Sequence, residues 1–63
     1  MKVTLTPLQK QSLEREHKMT HDKRVCDRIK AVLLASEGWS TAMIAQALRL
    51  SESAILRHLD DFH

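Results

Sequence analysis

Between Ser40 and Arg57 the chain carries polar groups at intervals that suit helices: Ser40, Thr41, Arg49, Ser51, Glu52, Ser53 and Arg57. Ser53 and Arg57 are four apart, so they share one face of a helix. Groups of these types can read nucleic acid. A guanidinium at Arg57 can donate two hydrogen bonds to a guanine edge, Glu52 can accept from a cytosine amino group, and Leu56 can touch a thymine methyl. Free amides at the helix start marked by Ser40 and Thr41 suit a phosphate. Each residue also has a plainer role. Arg57 can be a solvated surface cation, Glu52 a partner of the helix dipole, and Leu56 a rim or dimer contact. Ser40, Thr41 and Ser51 can serve as caps alone.

A second group of cations, Lys23, Arg24, Arg28 and Lys30, lies upstream. Arg24 and Arg28 fall on one helix face, Lys23 and Lys30 on another. They can contact phosphates, or form a solvated face partly paired with Asp22 and Asp27. The charge is unevenly spread. Residues 1–37 hold eight basic and five acidic side chains, and residues 38–63 hold two and three. Phosphate attraction would therefore come largely from the N-terminal half. Asp60 and Asp61 repel phosphate, so the end of the last helix should lie away from a DNA backbone.

Catalytic and metal chemistry find little here. His17, His21, Cys26, His58 and His63 match no common zinc spacing. No Gly-rich phosphate loop or Ser/His/Asp arrangement is present. No cofactor, metal or small-molecule substrate is expected. Cys26 reads as a small core residue, and a single thiol fits a reducing cytoplasm. The opening "MKVTLTPLQKQ" has no apolar core of a secretory signal, and no segment approaches the ~20 apolar residues of a membrane span.

The elements that must position these groups are helices. The 63 residues hold one Gly and one Pro, too few turn residues for a sandwich or barrel. A chain of this length suits one small domain. Thr6, Pro7 and Gln9 spell a capping box with proline at the first helical position, opening a helix over 7–18. Its apolar stripe is thin: Leu5, Leu8 and Leu13, with Ser12 at the edge. A second, central helix is expected over 21–37, begun by Thr20 or His21. It carries a face of Val25, Ile29, Val32 and Leu33 and closes at Gly38. A third over 41–48 follows the cap Ser40 and buries Met43, Ile44, Ala47 and Leu48. A fourth over 52–62 follows the cap Ser51 and buries Ile55, Leu59 and Phe62.

The joint "RLS" between the last two helices has a function-bearing geometry. Ala45, one turn before Leu48, lets the fourth helix approach closely. Leu50 plugs the corner, and Ile55 and Leu59 return to the same core. Two helices crossing steeply over a shared corner make a helix-turn-helix, whose second helix can enter a DNA major groove. The turn usually opens with Gly at positive φ. Here it is Arg49, at a cost of order 1 kcal/mol.

The stretch from Thr20 onward resembles the N-terminal helix-turn-helix domain of bacterial insertion-sequence transposases of the mariner-like superfamily. Arg28, Ile29, Ala31, Leu33, Leu34, Ala35 and Gly38 match its first helix. Ser40, Ile44, Ala45, Leu48, Ser51, Ile55, Arg57, Leu59 and Phe62 match the two that follow. Resolvase-like and regulator domains share the second half of this pattern. The resemblance implies an all-α, homeodomain-like fold and a bacterial, cytoplasmic protein that binds the terminal inverted repeats of its element. The acidic catalytic triad of that family belongs to a later RNase-H-like domain, so no strand transfer is expected of these residues. A small transcriptional regulator is an alternative. Another is a helical interaction module, a homodimer or partner-docking unit anchored by Leu56 and Trp39.

Overall fold

Thr6 begins the first helix as its residue type predicts. In the computed structural model, which describes residues 3–62, its hydroxyl accepts from the Gln9 amide at 3.1 Å. The Gln9 side chain in turn accepts from the Thr6 amide at 2.9 Å. This helix, α1 (Pro7–Met19), ends at Thr20, whose backbone is extended. It buries no residue; its backbone runs close to the second helix, and its Leu13 lines a crease with Phe62. Leu13 and Leu5 pack against the core, but Leu8 is 76% exposed. The expected stripe fails there because Leu8 and Leu13 are five residues apart, which turns them well away from each other.

The second helix, α2 (Lys23–Ser36), starts later than expected. Its cap is Asp22, whose carboxylate accepts from the amides of Arg24 at 2.9 Å and Val25 at 3.3 Å. Thr20 instead closes the preceding loop, its hydroxyl accepting from the Asp22 amide at 3.2 Å. Ile29, Ala31, Val32 and Ala35 are buried, whereas Val25 and Leu33 are only partly so. The two alanines, one turn apart, leave room for neighbouring helices. Cys26 is partly buried, its thiol directed at the Thr20 carbonyl 3.8 Å away. Gly38 ends the helix at φ 95°. The amides of Gly38 and Trp39 return to the carbonyls of Ala35 and Leu34, both at 3.1 Å. A Cβ at Gly38 would meet nothing within 4 Å, so the backbone angle alone calls for glycine.

The last two helices are α3 (Thr41–Leu48) and α4 (Glu52–Phe62). Ser40 and Ser51 cap them, accepting from the amides of Met43 at 3.2 Å and Ala54 at 3.1 Å. α3 buries Ile44 and Ala45, while Met43 is 49% exposed and Ala47 also faces outward. The buried face is centred between Ile44, Ala45 and Leu48, because α3 packs on both α2 and α4. The expected face, with Met43 and Ala47, lies rotated from it. On α4, Ile55 and Leu59 are buried and Phe62 packs against them, as expected.

The core joins Val3, Ala31, Val32, Ala35, Ile44, Ala45, Ile55 and Leu59, with Leu50 and Leu48 beside it. No polar side chain is buried among the described residues. α2 is central, touching all three other helices. The described residues contain no β-strand, and none of their helices is long and apolar enough to cross a membrane.

Candidate nucleic-acid interface

The corner between α3 and α4 keeps the usual turn although glycine is missing. Arg49 adopts φ 59° and ψ 41°, the left-handed conformation. The Leu50 amide reaches back to the Ala45 carbonyl at 3.0 Å, and the Arg49 amide to Gln46 at 3.4 Å. These two bonds form the Schellman closure of a helix. Leu50 is partly buried and packs against the core, so it plugs the corner. The Arg49 side chain is exposed.

Ala45, at 6% exposure, lies where the chain doubles back. A larger side chain there must displace α2 or α4. Ala45→Leu is expected to cost roughly 1–3 kcal/mol by overpacking. A thermal melt unchanged from the parent protein would show that the helices do not close over this residue.

The corner holds α4 with Ile55 and Leu59 inward, leaving Glu52, Ser53, Leu56, Arg57, Asp60 and Asp61 exposed. Ser53 and Arg57 lie one turn apart on the side facing away from the core. Ser40 and Ser51 are exposed caps, their oxygens already accepting amides but their hydroxyl protons still able to donate. Thr41 is partly buried.

The four upstream cations separate. Lys23 pairs with Asp27 at 3.1 Å. Lys30 points to solvent. Arg24 lines an open cleft of about 490 Å³ between the first turn of α2 and the flank of α4, bordered by Leu50, Ala54, Arg57 and His58. Arg28 lines a different crease, between α1 and the end of α4, with Leu13, Glu16 and Phe62. Arg24 and Arg28 share a helix face, as the spacing implies, yet meet different neighbours. That Arg24 and Arg57 border one cleft leaves no mark in the sequence, because it depends on how α4 crosses α2. His58, partly buried at the cleft, was not singled out by spacing for the same reason. His17, His21, Cys26 and His58 form no metal-binding group among the described residues, and His63 lies outside them.

A tight left-handed corner, a capped second helix packed on the first, and an exposed polar face on that second helix define a helix-turn-helix domain. The family model for the winged helix-turn-helix matches residues 28–63, more than half of the chain, and the chain belongs to that family. No curated protein matches the chain, and no solved structure does. Membership of this family suggests DNA as the partner.

Proposed function

We propose that this chain binds double-stranded DNA, with α4 in the major groove and the start of α3 against the backbone. The observation that carries this reading is the corner at Arg49. It presents Ser53 and Arg57 on one open face of α4 while Ile55 and Leu59 fix the opposite face in the core. Major-groove readout needs a rigid helix that offers donors and acceptors to base edges.

The resemblance to insertion-sequence transposases supports a narrower role: recognition of a mobile element's terminal inverted repeats, as the DNA-binding part of a transposase. Ser40, Thr41, Arg49, Ser51, Glu52, Ser53, Leu56 and Arg57 are the contact residues in this reading, and catalysis is no part of it.

The experiment is duplex binding by fluorescence anisotropy across a salt series, with selection from a random duplex library. Log affinity should fall linearly with log salt, and a preferred sequence should emerge. No binding to any duplex at low salt would sink the proposal.

Trp39, Met43 and Leu56 are large exposed apolar side chains, which keeps the interaction-module reading in view. Apolar self-association responds little to salt. A dimer in sedimentation whose affinity persists at high salt, without duplex binding, would favour that reading.

A further inference from the structure

The cleft between α2 and α4 carries six charged side chains, and three of them are occupied. Asp22 accepts two amides of the first turn of α2. Asp27 is paired with Lys23, its side chain only 13% exposed. Arg24 and Arg57 remain, both exposed, and neither has an ion-pair partner among the described residues. Asp61 is the one acidic group left at this cleft, and it also borders the crease holding Arg28. Two unpaired guanidiniums on separate helices thus border one open cleft. An anion entering it would meet donors that suit phosphate oxygens.

The position of the cleft selects the anion. It flanks the outer face of α4. If that face enters the major groove, the first turn of α2 must stand over the groove's edge, where DNA presents its backbone. We propose that Arg24 holds a backbone phosphate at this edge, within the field of Arg57, and that Arg28 takes no part in the interface. This inference rests on the DNA-binding reading above. It separates cations that sequence spacing leaves equivalent. Arg28 is only partly exposed and shares its crease with Glu16 and Asp61 and with no second cation, whereas Arg24 shares its cleft with Lys23 and Arg57.

Arg24→Ala and Arg28→Ala can be compared with the parent chain on one duplex library, at fixed salt and across a salt series. Both replacements keep a helix-favouring residue, and circular dichroism would confirm folding. Arg24→Ala should weaken every duplex alike, by roughly tenfold for a lost charge-assisted hydrogen bond. It should lower the salt slope by about one and leave the order of preferred sequences intact. Arg28→Ala should stay within about twofold of the parent, as a surface change away from the contact does. Parental affinity and slope in Arg24→Ala would overturn the assignment while leaving DNA binding standing. Equal losses in the two variants would also overturn it, since general charge would then account for the effect. A changed base preference in Arg24→Ala would replace phosphate contact with base readout and so refute it. If the parent binds no duplex, the DNA-binding reading itself fails, a result separable from the other three.

Discussion

Ile55→Ala is expected to leave the protein largely unfolded at room temperature. Ile55 is fully buried, with no exposed surface, and sits in one cluster with Val32, Ile44 and Leu59. Truncating such a residue removes its transfer free energy and leaves a cavity, together about 2–5 kcal/mol. A single core of this size rarely supplies more than about 3–5 kcal/mol of net stability. No disulfide supplements it, because the one cysteine is free. The loss is therefore comparable with the whole. Urea titration followed by circular dichroism should show little or no folded baseline for the variant. Leu8→Ala is the control, because Leu8 is mostly exposed and should change stability by less than about 0.5 kcal/mol. A folded Ile55→Ala with a midpoint near that of the parent would mean that α4 is not anchored through this residue. The consequence would reach function, since the same anchor fixes which face of α4 is turned outward.

The parts legible in the sequence were those written in backbone chemistry. Thr6, Gln9, Ser40 and Ser51 mark helix starts because their side chains satisfy amides that the helix leaves open. Gly38 marks a helix end because few other residues tolerate φ 95°. Arg49 was readable as a left-handed residue only through the pattern around it, since arginine has no preference for that conformation. The start of α2 was obscured by three consecutive polar residues, Thr20, His21 and Asp22, each of which accepts hydrogen bonds. The buried face of α3 was obscured by excess: the corner pattern marks Ala45, which is buried, but most of the helix is apolar, so periodicity also admits Met43 and Ala47, which are exposed. Val3 is buried in the core yet precedes any helix, and a lone apolar residue in a coil has no period to reveal it. The candidate interface was legible along α4 and not across the cleft. Helical spacing places Ser53 beside Arg57, but tertiary packing alone sets Arg24 and Arg57 on one cleft.

Arg57→Ala should cost about 1–3 kcal/mol on the preferred duplex and relax the preference at one base pair, if Arg57 donates to a guanine edge. The geometry favours that role over a backbone contact. Arg57 is exposed on the side of α4 away from Ile55 and Leu59, with Ser53 one turn before it. Its length lets it reach past the helix surface, whereas Arg24 stands at the flank. In the proposed binding mode the exposed carboxylate of Asp60, a turn further on, would repel phosphate and hold the end of α4 off the backbone, while Asp61 lies at the flank beside the Arg24 cleft. The amino-terminal two turns of α4 are therefore the part free to approach base edges closely. The two arginine variants should differ in kind on one library at one salt concentration. Arg24→Ala should lower all affinities in parallel, and Arg57→Ala should compress the spread between preferred and random sequences. Uniform weakening by Arg57→Ala would demote it to a phosphate contact. Unchanged binding on every duplex would remove α4 from the interface and leave the corner at Arg49 a purely architectural turn.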